Sequence, residues 1–255
     1  MAGMKINIGD TWKTVTATQI NIGDSWKAAY IGPFNGHATL VNGLLEFWGF
    51  TTNADGDSGV YDCTVEGATH NASGGKPGGY YDFDGTNDYM DTNAYILDEE
   101  TACTVSTWIK TTDKNRSQYI IGSKDATKKH WFTLFIRDDG YIDGGIGDGT
   151  NTVAFSQDGS ADADDGSWHM VSVTWDGTNV RRYIDGGATG TVDNSGSVSK
   201  INLIGNLYIG NVERAGSPLA NLFVNGDIDS VGIWDRALTV GELGDLYNGG
   251  DGLTY

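Results

Sequence analysis

The residues able to do acid–base or metal chemistry are numerous but poorly arranged for it. The 255-residue chain carries 34 acidic side chains, of which only six are glutamate, at positions 46, 66, 99, 100, 213 and 242. A retaining glycosidase needs two carboxyl groups about 5 Å apart, a separation that same-face neighbours on one strand provide. No two of these glutamates have that spacing, and the nearest approach, Leu97-Asp98-Glu99-Glu100, reads as a loop. The four histidines, at 37, 70, 130 and 169, show no paired ligand spacing, which argues against zinc. No nucleophile-elbow motif presents a serine. The chain therefore reads as a non-enzyme.

The remaining 28 acids are aspartates, and ten of them stand in Asp-Gly dipeptides. Asp favours turns and caps over helix interiors, and Asp-Gly between alternating runs is a strong hairpin signal. Two acidic stretches resemble calcium loops by composition, Asn53-Ala54-Asp55-Gly56-Asp57 and Asp162-Ala163-Asp164-Asp165. Neither has the EF-hand pattern, since Thr64 stands where the bidentate glutamate belongs, and both read as solvated loops. For ligand contact the candidates are Trp131, Arg137 and Tyr141. Trp131 shares a strand face with Thr133, Phe135 and Arg137, and Tyr141 follows the Asp139-Gly140 turn. They form either a glycan or partner surface, or ordinary packing.

The elements that must position these residues are strands. Glycine is 38 of 255 and proline only 3. Runs such as Cys103–Ile109, Trp131–Arg137, His169–Trp175, Val180–Ile184, Asn206–Ile209 and Asp227–Trp234 are short and separated by turn signals. This pattern predicts an all-β fold, a two-sheet antiparallel jelly-roll sandwich. One short C-terminal helix is expected where Thr239 and Glu242 have capping-box spacing and Leu243, Leu246 and Tyr247 follow at helical spacing. Ahead of the sandwich, Lys5-Ile6-Asn7-Ile8-Gly9-Asp10-Thr11-Trp12-Lys13 recurs 14 residues later as Gln19-Ile20-Asn21-Ile22-Gly23-Asp24-Ser25-Trp26-Lys27. Each copy reads as a β-hairpin carrying one tryptophan. The organisation is thus a repeat arm over 1–31, a hinge over 32–37 and a jelly roll over 38–255. Two such hairpins bury too little to stand alone. Trp12 and Trp26 therefore either pack on the sandwich or anchor the arm to a partner, the second being favoured because aromatic anchors typify interfaces.

The net charge of −18 excludes nucleic acid as a direct ligand and disfavours anionic membranes. No apolar run is long enough for a membrane span, and the first ten residues lack the apolar stretch of a secretory signal. Cys63 and Cys103 are either one disulfide or two thiols, the second being the expectation in a reducing compartment.

Several segments resemble laminin G-like, concanavalin A-like jelly-roll domains. Leu44–Phe50 resembles their opening strand, and Tyr81-Asp82-Phe83-Asp84-Gly85-Thr86-Asn87-Asp88-Tyr89-Met90 resembles their FDG-x-x-DYV signature. Cys103–Lys110, Gly166–Val171, Val173–Gly177, Arg182–Gly186, Leu207–Gly210 and Gly226–Thr239 resemble the later segments in order, so the likeness spans roughly residues 40–250. It implies one concave and one convex sheet, binding of carbohydrate or protein, and one Ca²⁺ in many members. By family position the calcium candidates are Asp84 and Asp229. The competing reading gives Asp84 to its turn and Asp229 to loop amides. Trp48, Trp108, Trp168, Trp175 and Trp234 fall at family core positions, and His169 beside them reads as structural. The tandem I-x-I-G-D-x-W-K units resemble short repeats in virion proteins of tailed bacteriophages. Together these readings give a virion display protein: a capsid decoration protein, head fibre or tail-associated adhesin. Its partners would be virion proteins, further copies of itself (a trimer among the options) and host-surface glycans. The alternatives are a secreted or cell-surface carbohydrate-binding module of a bacterium, and a structural cement protein with no glycan ligand.

Overall fold

The computed structural model describes residues 5–8, 11–14, 19–21, 26–28, 37–127, 129–156, 162–194 and 198–253. Both repeat units form the expected hairpins. Strand β1 (Lys5–Ile8) pairs antiparallel with β2 (Thr11–Thr14), and β3 (Gln19–Asn21) with β4 (Trp26–Ala28). The two registers are equivalent: Asn7 faces Trp12 in the first and Asn21 faces Trp26 in the second. The side chains of Trp12 and Trp26, and residues 32–36 of the expected hinge, lie outside the described residues.

From residue 37 the chain forms a one-turn helix α1 (Ala38–Val41) and then the strands of a sandwich. In order these are β5 (Leu44–Trp48), β6 (Thr64–Glu66), β7 (Thr69–Asn71), β8 (Tyr80–Asp84), β9 (Tyr89–Asp91), β10 (Cys103–Thr111), β11 (Gln118–Lys124) and β12 (His130–Ile136). They continue with β13 (Ile142–Asp148), β14 (Thr152–Ser156), β15 (His169–Trp175), β16 (Asn179–Ile184), β17 (Gly187–Asn194), β18 (Tyr208–Ile209), β19 (Glu213–Arg214), β20 (Ser217–Pro218) and β21 (Asn225–Trp234). Helix α2 (Val240–Tyr247) closes the series. One sheet has the order β17-β16-β15-β10-β21-β8-β7, with β5 also paired to β21. The other runs β14-β13-β12-β11-β18-β9-β6, with the β19–β20 hairpin attached to β11. This is the jelly-roll sandwich that the alternating runs implied.

Strand alternation explains the core between the sheets. Val105 and Ile109 of β10, with Val171, Val173 and Trp175 of β15, face Ile121 of β11, Phe132, Leu134 and Ile136 of β12 and Ile146 of β13, all buried in one cluster. Each such side chain contributes roughly 1.5–3 kcal/mol by leaving water. The first sheet is buried on its other face as well. There Phe47, Trp108, Met170, Tyr183 and Trp234 pack under Leu243 and Leu246 of α2, with Leu40 of α1.

The cover is well fastened. Thr239 and Glu242 form the expected capping box, and Asn248, in the left-handed conformation, ends α2. Arg236 pairs with Glu242 at 2.7 Å and donates to the carbonyls of Thr39 and Asn42. Among the described residues no helix packs on the outer face of the second sheet, although Trp131, Thr133, Lys124 and Tyr208 on that face are buried as well.

Trp168 departs from the core expectation. It is half-buried, and its indole N–H donates to the Gly74 carbonyl at 3.1 Å. His169 is structural as expected, held between Asp185 at 2.9 Å and Asp165 at 3.1 Å. Cys63 and Cys103 are unpaired thiols, and burial pushes both above the usual thiol range.

Candidate functional site

The outer face of the second sheet carries a group of polar and aromatic side chains at one end. Strand β18 lies between β11 and β9, and the registers place Tyr208 opposite Gly122 on one side and Asp91 on the other. The Tyr89 ring stacks on the Tyr208 ring at 4.8 Å. The loop that enters β18 brings Ile204, Gly205 and Asn206 to the same place. Asn206 donates its side-chain amide to Asp91 Oδ1 at 2.9 Å, and the Asn93 N–H donates to the same oxygen at 2.7 Å. From the far side comes Glu213, in parallel register with Ser123. It accepts the Ser123 hydroxyl at 3.1 Å and the Gly216 N–H. Gly205 leaves room for the Glu213 carboxylate, which a Cβ there would meet.

These residues enclose a cleft of about 220 Å³ lined by Asp91, Tyr95, Ile204, Asn206, Tyr208 and Glu213, with Gly205 and Gly216 as floor and edge. Its lip is apolar. Large hydrophobic side chains are exposed at four described positions, and two of them, Tyr95 at 48% and Ile204 at 57%, stand at this cleft. An exposed apolar pair beside convergent polar groups marks a binding site better than either feature alone. Burial, then the charges of Asp91 and Glu213 with Tyr89 and Glu66 nearby, push the Tyr208 phenol up to about 12. Its hydroxyl therefore stays protonated and able to donate across the physiological range.

The residues proposed from sequence lie elsewhere. Trp131 is only 9% exposed. Its N–H donates to Thr133 Oγ1 at 2.8 Å and its ring lies across Gly145, where any Cβ would strike it. Arg137 and Tyr141 do meet: the turn between them sets the guanidinium 5.8 Å from the Tyr141 ring, with Asp139 and Asp143 as the arginine's ion-pair partners. Trp131 is six residues away along the strand direction, about 20 Å, so the three do not form one surface. Because Trp131 is packed, Trp131→Ala is expected to cost about 3–5 kcal/mol in a melting experiment while leaving binding at the cleft unchanged.

The fold sets the two calcium candidates, Asp84 and Asp229, apart. Asp84 faces Asn225 across β8 and β21, which puts Asp229 four residues farther on, about 13 Å away. Asp84 Oδ1 accepts the N–H groups of Thr86 and Asn87 at 2.7 and 3.3 Å and fixes its turn. Asp229 is fully buried and accepts the Lys76 N–H and the Ser230 hydroxyl. Asp84 Oδ1 and the Asp229 carboxylate thus accept from protein donors, the arrangement that the competing reading of each describes. Among the described residues no group of three or more His, Cys, Asp or Glu is placed to hold a metal.

With this geometry established, the comparisons with known proteins are informative. Residues 84–244, well over half of the chain, match the model described as the Concanavalin A-like lectin/glucanases superfamily. The chain belongs to that superfamily. No curated protein sequence matches it. Among solved structures, the receptor-binding domain of botulinum neurotoxin D is similar with a TM-score of 0.60 at 16% identity, covering 82% of this chain and 53% of that one. Domain 4 of AbnA, a GH43 extracellular arabinanase from Geobacillus stearothermophilus solved with arabinotriose, gives 0.57 at 17% identity, covering 79% of this chain and 97% of that domain. A Streptococcus pneumoniae NanB sialidase gives 0.53 at 22% identity over 66% of this chain and 27% of that one. The superfamily member described here spans about half the length of the neurotoxin structure. At these identities the likeness shows the fold, and the matched structures are mainly binding domains.

Proposed function

We propose that this protein is a non-catalytic display domain that binds the end of a glycan in the Tyr95–Tyr208 cleft. The cleft carries this reading: two exposed apolar side chains, Tyr95 and Ile204, an aromatic wall and fixed carboxylate and amide groups converge on the outer face of the second sheet. Sugars offer apolar ring faces and a rim of hydroxyls, and this lining suits both. The volume is below the ~300–1,000 Å³ of pockets for drug-sized ligands and suits a single sugar ring. Both carboxylates already accept hydrogen bonds from fixed donors, an arrangement for holding hydroxyls rather than for cycling protons. The arabinotriose-bound arabinanase domain supports the reading by analogy of fold.

In the same proposal the two hairpins of the arm attach the protein to a particle, a phage virion being the first candidate, or join copies of it into an oligomer. Two-stranded hairpins are marginal without a partner surface, and the repeat supplies two equivalent ones. Many weak sites on one particle would then act together, because a second binding event is effectively intramolecular. A cell-surface carbohydrate-binding module would use the same cleft with a different attachment.

The test is glycan binding by the full chain and by Tyr95→Ala. Tyr95 is half exposed, so its removal leaves the melting temperature unchanged, whereas loss of its ring contact weakens binding at least about ten-fold, or 1.4 kcal/mol. Equal binding by both proteins would remove the cleft from the function. A chain starting at residue 38 is expected to keep the glycan affinity and to lose self-association and particle incorporation. Retention of both would rule out attachment through the arm.

A further inference from the structure

We propose that the cleft selects an uncharged sugar terminus and turns away glycans whose terminal residue carries a carboxylate or sulfate. This rests on the cleft being the binding site and specifies its ligand class.

The wall is built to accept hydrogen bonds. Asp91 takes both of its described hydrogen bonds at Oδ1, from Asn93 and Asn206, and Oδ2 accepts none of the described bonds. That oxygen is available to a ligand that donates. Glu213 is almost fully buried, with one oxygen on Ser123 and the other on Gly216. It places a second fixed negative charge at the back of the cleft. Glu66 adds a third acidic group near Tyr208. A neutral sugar answers this wall with hydroxyl donors, since adjacent hydroxyls can both be given to carboxylate oxygens.

An anionic sugar meets no counter-charge. None of the lining residues is basic. Lys124, on the neighbouring strand, turns its ammonium to Tyr119, 3.2 Å from the hydroxyl and 4.4 Å from the ring centre. Arg214, next to Glu213 in sequence, is not part of the lining. Like charges a few ångströms apart in a partly desolvated site repel strongly, and the −18 net charge extends the repulsion beyond contact range.

The probe is an array of neutral, carboxylated and sulfated glycans read with the full-length protein, its Tyr95→Ala variant and Asp91→Asn. Neutral hits that disappear with Tyr95→Ala are expected, with acidic counterparts of the same core at least about ten-fold weaker. The gap should shrink in high salt, which screens the repulsion, and with Asp91→Asn, which removes one charge while keeping an acceptor. Acidic glycans bound as well as neutral ones and lost with Tyr95→Ala would overturn the selectivity and leave the cleft as the binding site. Silence across all classes would overturn the binding reading and the selectivity with it.

Discussion

Glu46→Ala is expected to destabilise the protein by about 3–5 kcal/mol, a fall of roughly 10 °C in melting temperature for a domain of this size. Glu46 sits on β5 with no exposed surface, and its carboxylate accepts the N–H groups of Phe47 at 2.9 Å, Ser58 at 2.9 Å and Tyr61 at 3.1 Å, with the Ser58 hydroxyl as a fourth donor. It gathers the acidic stretch around Asn53–Asp57 into a closed loop from the inside. Its removal leaves several backbone donors without an acceptor, and each buried unpaired group costs about 1–3 kcal/mol. Glu46→Gln keeps the volume but aims an amide N–H₂ at groups that themselves donate, so it should recover less than half of the loss. Gly56→Ala should be destabilising at the same place, because a Cβ there would run into both the Glu46 carboxylate and the Tyr61 carbonyl. An alanine variant that melts with the parent would show that the loop holds without this anchor.

Glu46 also shows where reading the sequence reaches its limit. Regular elements were legible because their signals are local. Strand β15 has the bounds its alternation predicts, and the cap of α2 is written in Thr239 and Glu242. Burial of a polar group is not local. In Leu44–Phe50 the glutamate has the look of an outward strand residue, and nothing nearby announces that a loop twelve residues on will close over it. The cleft is harder still. Asp91 ends one strand and Tyr95 follows it, Ile204 to Tyr208 enter another, and Glu213 belongs to a third. Pairing of β9 with β18 across more than a hundred residues brings them together. Ile204, a large apolar residue in a loop, is a signal that points there, but on its own it is weak. Trp131 misled for the complementary reason: alternation put it on one strand face with Arg137, but Gly145 on the adjoining strand lets the ring lie flat and bury itself. Asp229 was picked out by family position as a metal ligand. In the fold it stands where β8 and β5 part on the edge of β21, and the Gly-rich segment around Lys76 fills that gap.

That buried carboxylate carries the second large effect: the protein should be most stable near pH 4–5 and lose stability steadily toward pH 8. Burial, only partly offset by the Lys76 N–H and Ser230, pushes the Asp229 carboxyl up to about 7 from an ordinary value of 3.8. Between those values the folded chain keeps a proton that the unfolded chain has released, so raising the pH favours unfolding. The span corresponds to on the order of 4 kcal/mol. Asp57 acts in the same direction, since burial, against the Gly49 N–H but with help from Glu46, raises it to about 6. His169 is raised by its hydrogen bond to Asp185, with Asp165 adding to it against burial. Its contribution is complete below the unfolded value near 6.5 and is lost as the pH rises through the folded one. The opposing groups work lower on the scale. Glu242, held at about 2 chiefly by Arg236, stabilises the fold above its ordinary value of 4.5, a contribution lost only as the pH falls toward 2. Thermal melts across pH 4–8 should therefore fall by on the order of 10 °C. Asp229→Asn, which can still accept from Lys76 while its amide meets the Ser230 hydroxyl, should remove most of that slope and melt above the parent at pH 8. A parent profile that is flat or rising over this range, or a slope unchanged in Asp229→Asn, would show that Asp229 is ionised in the folded protein.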